Sequence, residues 1–351
     1  MLSAHPGDVA YLRRLLLTIL TLATAVAIWL LADLLLLLFA SILLAIALRV
    51  IADPISRRLG IGEGWGLLAG GLLILAVLGL TIYLFGSQLV RELQGLAERL
   101  PRDLSSIASE LRLGSLQDMI QQSGAASTMG NLLSRVLSWG TTVLGAIASL
   151  VVVVFGGIYL ALDPALYRTG FMKLVPVQVH SNVATALDEC GLALRRWLGA
   201  QLIAMVIVGV ATGVGLSLIG LPSALALGLI AGVAEMVPYI GPVVAAVPAL
   251  AIALSQDWQT VWWTCAVLVA VQQIENNVLM PLLASRSVAI PPGLAMFAIV
   301  AMGILLGPLG LLLGFPLSVA LHVAIKRLYV HDALGKPVES VTEATKPTAA
   351  E

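Results

Sequence analysis

The stretch EMVPYIGP, residues 235–242, interrupts an apolar run that covers residues 222–254. Bringing a carboxylate such as Glu235 to the centre of a bilayer costs a few kcal/mol, so such residues usually face a cavity or a partner inside the protein. Pro238 and Pro242 each lack a backbone donor and break the helical ladder. Because hydrocarbon offers no replacement hydrogen bonds, broken backbone survives at membrane depth only where protein or a water-lined cavity covers it. The stretch therefore predicts a helix that is broken inside a membrane.

The composition indicates a polytopic membrane protein. Of the 351 residues, 60% are hydrophobic and 11% are charged, whereas a soluble domain carries about 25% charged residues. The mean hydropathy is +1.02. The formal net charge is zero, so no basic balance points to nucleic acid as a partner. The two cysteines, Cys190 and Cys265, are expected to form no disulfide.

Six apolar runs are each long enough to cross a hydrocarbon core of about 30 Å as helices. They cover residues 15–31, 34–50, 65–87, 141–162, 201–219 and 258–280. The first two runs are predicted to form a tight helical hairpin with Asp33 at its turn. By the positive-inside rule, basic residues place both termini in the cytoplasm. These residues are Arg13, Arg14, Arg57, Arg58, Lys326 and Arg327.

A second broken helix follows the first with the same proline spacing. Residues 223–254 would measure about 48 Å as one straight helix, which is too long for a single span and favours a re-entrant hairpin. Pro292 and Pro308 are separated by 16 residues, as are Pro222 and Pro238. Each copy therefore joins one span to one broken helix.

The two copies, residues 201–254 and 258–325, contain an odd number of crossings each, so the second would be inverted relative to the first, as in many secondary transporters. Arg286 lies in the cytoplasm if residues 223–254 form a hairpin and outside if they cross fully, and the positive-inside rule prefers the hairpin.

The predicted fold class is an all-α polytopic membrane protein with about 6 full transmembrane helices plus 2 broken or re-entrant helical hairpins in an inverted repeat, 8 hydrophobic segments in all. The positions expected to act as hinges or breaks are Pro238, Gly241, Pro242, Pro281, Pro308 and Gly310.

These elements divide the chain into six predicted regions. They are an N-terminal scaffold with three transmembrane helices (1–90), an extracytoplasmic amphipathic helix and linker (91–137), a fourth transmembrane helix (138–162), a cytoplasmic amphipathic helix (163–200), the transport core (201–330) and a disordered cytoplasmic tail (331–351). The apolar positions of the extracytoplasmic helix recur every three to four residues. It lies on the membrane or on its own subunit, or it forms an oligomer contact.

Polar residues that could carry chemistry are concentrated in QQIENN, residues 272–277, inside the last full span. Gln272, Glu275 and Asn276 are predicted to share one helix face, and Gln273 and Asn277 the neighbouring one. Such a surface could hydrogen-bond a small polar solute, although the amides could instead hold helices together.

Four amides, Gln272, Gln273, Asn276 and Asn277, are therefore the main candidates for solute binding, together with Tyr239 and Gln201. Glu235 and Glu275 are the candidates for ion coupling, with Na⁺ or H⁺ as the coupling ion. The alternative for Glu235 is a carboxyl that hydrogen-bonds the backbone amides freed at the break.

The sequence contains no pattern typical of an enzyme. It has no Cys and His spacing for a metal, no GxSxG elbow and no P-loop. We therefore predict no catalytic residues, no metal site and no cofactor.

Four segments, DPALYRTGFMKLVP, GLPSALALGLIAGVAEMVPYIGPVVAAVPA, QQIENNVLMPLLASRSV and GPLGLLLGFPLSVAL, occur in this order. Together they resemble the bacterial autoinducer-2 exporter family, also called the PerM-like permeases. The resemblance covers nearly all of residues 10–330 and is strongest over residues 220–316. The sequence departs from the family at Val237, where isoleucine is frequent, and at Ile290 with Pro291, where a Leu-His pair often precedes the proline.

The resemblance implies a homo-oligomeric carrier of the bacterial inner membrane, with a pentamer as one expected assembly. Members are assigned to export of the signalling molecule autoinducer-2 or to exchange of sodium or lithium for protons. We therefore predict a secondary transporter, acting as an exporter of a small polar metabolite or signal, driven by a proton or sodium gradient through an elevator-like motion. Two alternatives stay open: a sodium(lithium)/proton antiporter, and a membrane scaffold that transports nothing.

Overall fold

The computed structural model describes residues 6–83 except 61, 78 and 82, then residues 149–284 and 291–335. The regular elements within these ranges are helices, which confirms the predicted all-α membrane fold. Five of the described helices are long and apolar enough to cross a membrane, or six if one bent pair counts as a span. The total of eight hydrophobic segments stays a prediction.

The N-terminal region contains α1 (Pro6–Leu30), α2 (Ala32–Leu59) and α3 (Glu63–Thr81). The tight hairpin predicted at Asp33 is wrong. The amide of Leu31 donates to the carbonyl of Ala27 at 3.0 Å, and the amide of Leu35 donates to the carbonyl of Leu31 at 2.9 Å, so helical hydrogen bonding continues through the junction. Leu31 keeps φ −95° and ψ 5°, close to helical values, and the described α1 side chains are exposed.

The helices α4 (Ser149–Leu162) and α5 (Pro164–Met172) are bent by 91° relative to each other. Arg49 of α2 holds the end of α4, since its Nε donates to the carbonyl of Ala161 at 2.8 Å. The start predicted for the fourth span, and the amphipathic helix and linker predicted over residues 91–137, lie outside the described residues.

The longest central element is α6 (His180–Leu218), a single helix of 39 residues. It joins the predicted cytoplasmic amphipathic helix to the predicted fifth span without a break at residue 200. Arg195 of α6 forms an ion pair with Asp53 of α2. The helix therefore connects the N-terminal region to the rest of the core.

The first predicted hairpin is present. Its arms are α7 (Ala224–Ala234) and α8 (Gly241–Leu254). Leu227 of one arm shares a buried apolar cluster with Ala249 and Ile252 of the other, so the arms run antiparallel. This fold-back confirms the broken helix that the sequence predicted at residues 235–242.

The second predicted hairpin lies within α11 (Pro292–Ala324). Gly307 has φ 67° and ψ −152°, and the chain reverses there. A Cβ at Gly314 would lie 3.1 Å from the Cα of Ile299, a closeness that only a fold-back allows for residues so far apart in a helix. Residues 292–306 and 308–324 are therefore two packed arms, and the break is at Gly307, next to the predicted Pro308 and Gly310.

We expect Gly307→Ala to lower the stability of the protein. The native backbone at this position lies where L-residues are rarely found, so a side chain there costs about 1–3 kcal/mol. Thermal unfolding of the purified protein in detergent would measure the loss. Gly293→Ala is the matched control, because Gly293 lies in the same helix with open space around it. Equal unfolding temperatures for the two variants would contradict the assignment of the break.

The last full span combines α9 (Trp258–Ile274), a π-helical segment (Glu275–Leu279) and α10 (Met280–Ala284). Asp257 caps it, accepting a hydrogen bond from the amide of Thr260 at 2.7 Å. This bond holds the pKa of Asp257 below its usual value. After α11, a π-helical segment covers Ile325–Ala333, so the chain is helical beyond residue 331, where the disordered tail was predicted to start. Residues 336–351 lie outside the described residues.

Candidate functional site

The tip of the first hairpin, residues 235–240, brings the predicted ion-coupling residue Glu235 into the protein interior. Only 1% of Glu235 is exposed. The end of α7 is closed by tight turns, in which the amides of Met236 and Val237 each donate at 3.1 Å to the carbonyls of Val233 and Ala234. Tyr239 has φ 69°, an unusual value for a tyrosine that is typical of strained backbone at functional sites.

Gln201 of α6 fixes this tip. Its Nε2 donates to the backbone carbonyl of Glu235 at 2.5 Å, and the side chain is buried. The sequence predicted Gln201 as a solute contact, whereas the structure shows it satisfying a carbonyl at the helix break. Gln201 is thus a positioning residue for Glu235.

The two predicted ion-coupling carboxyl groups meet. Glu235 and Glu275 are close enough to share a side-chain hydrogen bond, and Glu275 is only 4% exposed. Gln272 donates from its Nε2 to Oε2 of Glu275 at 2.5 Å. Among the described residues, the buried Oε2 of Glu235 has no hydrogen-bond partner. A hydrogen bond between two carboxyl groups needs one proton, and a cation could neutralise the pair instead.

The π-helical segment explains how the polar span presents these groups. The amide of Met280 donates to the carbonyl of Glu275, five residues earlier. Pro281 lacks an amide, and its ring crowds the carbonyl of residue 277, so the helix widens ahead of it instead of breaking. Such π-bulges occur frequently at functional sites.

The predicted amides divide between two environments. Gln272 is half-buried beside Glu275, whereas Gln273, Asn276 and Asn277 are exposed. Asn277 donates to Oε1 of Gln273 at 2.8 Å. Asn276, which was predicted on one face with Gln272 and Glu275, is thus exposed, and its part in solute binding stays a prediction. Tyr239, at the hairpin tip, is 47% exposed.

The tip of the second hairpin packs against the same part of α6. Leu306 and Leu309 contact a buried cluster that includes Leu194 and Trp197, and Met236 of the first tip packs against this cluster too. The rings of Trp197 and Phe315 lie 5.4 Å apart, centre to centre. Both hairpins are thus attached to α6 within about two turns of Gln201.

Glycines that the sequence reasoning missed bring α6 and α7 into backbone contact. They are Gly209 and Gly213 on α6, and Gly228 and Gly232 on α7. Each pair is four residues apart, the spacing that lets membrane helices pack closely. This spacing is visible in the sequence and could have identified the contact. Gly307 was missed because a positive φ leaves no pattern of its own.

We expect Gln201→Leu to destabilise the protein by about 1–3 kcal/mol, because the buried carbonyl of Glu235 would lose its donor. Gln273→Leu is the matched control: it makes the same change on an exposed side chain, where substitutions usually stay within about 0.5 kcal/mol. Thermal unfolding in detergent compares the two. If Gln273→Leu lowered the unfolding temperature as much as Gln201→Leu, the positioning role of Gln201 would be contradicted.

An apolar cavity of about 470 Å³ lies between α2, α3 and α4. None of the predicted site residues lines it. The candidate site is therefore the buried carboxyl pair and its neighbours, not this cavity.

Comparison with known sequences shows which protein family the chain resembles. The profile of the AI-2E family transporters matches residues 17–329. YrrI of Bacillus subtilis, which carries the name of a transport protein, is 33% identical over 165 residues, and the chain spans about half of its length, 47%. PerM of Escherichia coli K12, named as a permease, is 29% identical over 315 residues, which cover 82% of this chain and 86% of PerM. The AI-2 transport protein TqsA of the same organism is 21% identical over 297 residues, covering 81% and 84%.

Proposed function

Because this chain belongs to the AI-2E transporter family, we propose that it is a secondary active transporter that exports a small polar metabolite or a signalling molecule such as autoinducer-2, driven by a proton or sodium gradient. The family and the apolar helices make it a multi-pass membrane protein of the transporter class. The substrate, the coupling ion and the direction belong to the proposal, as does a bacterial inner-membrane orientation with both termini in the cytoplasm.

The observation that carries the proposal is the buried pair of Glu235 and Glu275. Two carboxyl groups in contact at membrane depth cannot both stay charged without a counter-ion, because each isolated charge there costs several kcal/mol. The pair therefore holds either a shared proton or a cation. Binding of this ion on one side of the membrane and its release on the other would couple the flux of the solute to the gradient of the ion.

The amide side chains beside the Glu235–Glu275 pair bind the solute in this proposal. Gln272 contacts Glu275 directly, so a solute that displaced this hydrogen bond would change the environment of the carboxyl pair. Gln273, Asn276, Asn277 and Tyr239 supply exposed donors and acceptors around it. Such groups suit hydroxyl-rich or carbonyl-containing solutes of low charge.

In the elevator-like cycle that we propose, the glycine contact supports joint movement of the first hairpin and α6. A Cβ at Gly232 would lie 2.6 Å from the carbonyl oxygen of Met205, so the backbones of α6 and α7 touch and cannot slide past each other without separating. The first hairpin therefore moves with α6. A ring of several subunits, up to a pentamer, would supply the fixed frame for this motion.

Binding of candidate solutes to the purified protein tests the proposal. We expect autoinducer-2 or another small polar solute to raise the unfolding temperature of the native protein, by the linkage between binding and stability. The rise should be smaller in Asn276→Leu, with Leu218→Asn as an exposed control far along the chain.

Each outcome of this screen separates the candidates. Stabilisation by sodium or lithium alone, with no effect of any solute, would favour the cation/proton antiporter. The absence of stabilisation by every solute and cation would contradict the transporter proposal and favour a scaffold.

A further inference from the structure

The helix α5 and the turn that follows it carry exposed apolar side chains that the described part of the chain does not cover. Leu166 is 63% exposed, Phe171 50% and Leu174 83%. Val177, in a short 3₁₀ helix (Val177–Val179), is 87% exposed. Exposed apolar side chains of this kind mark a surface that a membrane or another molecule covers.

The position of α5 follows from the 91° bend after α4. If α4, the described part of the predicted fourth span, runs across the membrane, this bend places α5 in the membrane plane. Asp163 fixes the corner: its carboxylate accepts a hydrogen bond from the amide of Leu166 at 3.0 Å, and Pro164 occupies the first helical position. Such a corner puts α5 at the level where the span ends.

The rotation of α5 about its own axis is also fixed. Arg168 makes a two-point ion pair with Asp188 of α6, with Nε and Nη2 at 3.0 and 2.7 Å from the carboxylate oxygens. Met172, one turn later, is buried. At 3.6 residues per turn, Tyr167 and Phe171 fall together on one flank of α5, beside the face that contacts α6, and Leu174 follows the end of the helix; all three side chains are exposed.

The charge on the helix agrees with a lipid surface. Between residues 164 and 176 the charged residues are Arg168 and Lys173, both basic. A helix with an apolar stripe, basic residues beside it and an aromatic phenol near the boundary is typical of a segment that lies in the bilayer interface.

We propose that α5 and the following turn, residues 164–179, lie in the interface of the membrane leaflet where α4 ends, with the stripe of Tyr167, Phe171 and Leu174 buried among the phospholipid acyl chains. The partner is a phospholipid surface. Through the ion pair of Arg168 with Asp188, this interfacial segment anchors α6 and thus the helix that holds both hairpin tips.

Site-directed spin labelling tests the proposal on the full chain. Cys190→Ser and Cys265→Ser remove the native thiols, and single cysteines are then introduced as Leu174→Cys or, as the matched control on the polar side of the same helix, Thr169→Cys. The protein is placed in nanodiscs of phosphatidylethanolamine and phosphatidylglycerol. Collision of the nitroxide with oxygen, which concentrates in lipid, is compared with collision with a water-soluble nickel chelate.

We expect the ratio of oxygen to nickel collisions to be severalfold higher at position 174 than at 169. Equal ratios dominated by nickel would place α5 in water and overturn the proposal. Protection of position 174 from both reagents, with spin–spin broadening, would show that a second copy of the chain covers the stripe and would overturn it too. Both labelled positions are exposed, and retention of the native unfolding temperature confirms the fold of each variant.

Discussion

Gly228→Ala is expected to unfold at a clearly lower temperature than the native protein. The added Cβ would lie 2.6 Å from the carbonyl oxygen of Gly209 and 2.6 Å from the Cα of Gly213. These are backbone atoms of α6, which cannot rotate away as a side chain can. Overpacking of this kind typically costs about 1–3 kcal/mol. Thermal unfolding in detergent, followed by circular dichroism, measures the effect.

Two alanine substitutions in α6 make matched controls for this prediction. Gly191→Ala has open space around it and should be neutral or stabilising, because alanine is favoured over glycine in a helix by roughly 0.5–1 kcal/mol. Gly213→Ala would meet its nearest neighbour at 3.6 Å, an ordinary contact, and should be tolerated. If Gly228→Ala behaved as these two do, the close approach of α6 and α7 would be contradicted.

Glu235→Gln and Glu275→Gln are expected to abolish most gradient-driven flux while leaving the fold intact. Each change keeps the shape of the side chain but removes a carboxyl group from the pair. A hydrogen bond to a charged group is worth about 1.5–3 kcal/mol, and 1.4 kcal/mol corresponds to tenfold. Flux in proteoliposomes should therefore fall by roughly ten- to a hundredfold, measured as solute uptake driven by an imposed proton or sodium gradient.

An exposed amide at the start of the same span supplies the control for these variants. Gln259→Glu places a new carboxyl there, far along the helix from the pair, so it should retain flux. A scaffold protein would show altered unfolding in Glu235→Gln with no change in any flux. That result would contradict a role of the Glu235–Glu275 pair in ion coupling.

The broken helices were accessible from the sequence because proline and the length of an apolar run have direct physical consequences. Pro238 and Pro308 remove backbone donors wherever they occur in a helix, and a run of residues 223–254 is too long for one crossing. The length and Pro238 predicted the first hairpin, and the matching proline spacing that ends at Pro308 predicted the second. In the second hairpin the break lies at Gly307 and not at the predicted Pro308, because the chain reversal needs a positive φ, which proline cannot adopt.

The predicted turn at Asp33 failed for the complementary reason. A charged residue between two apolar runs indicates a boundary in polarity, but a tight reversal also needs glycine, proline or a left-handed residue. None is present between Leu30 and Leu35, and the helical hydrogen bonds continue. Polarity alone could not distinguish a turn from a polar position in a continuous helix.

The candidate site was predicted in part. The buried meeting of Glu235 with Glu275 joins two segments of the chain, and a single sequence shows which residues are costly but not which ones meet. The role of Gln201 depends on a carbonyl freed at the break, so it too needs the tertiary structure. The π-helical segment Glu275–Leu279 was not predicted, because a regular helical period was applied to a span that Pro281 distorts.

The dependence of solute flux on imposed gradients tests the central claim most directly. Native protein in proteoliposomes is given a solute gradient, and flux is measured with a proton or sodium gradient present and again after ionophores collapse it. We predict that collapse of one of the two gradients slows native flux severalfold, and that the double variant Glu235→Gln with Glu275→Gln is slow and insensitive to both. Native flux that is equal with and without both gradients would contradict coupling through the carboxyl pair.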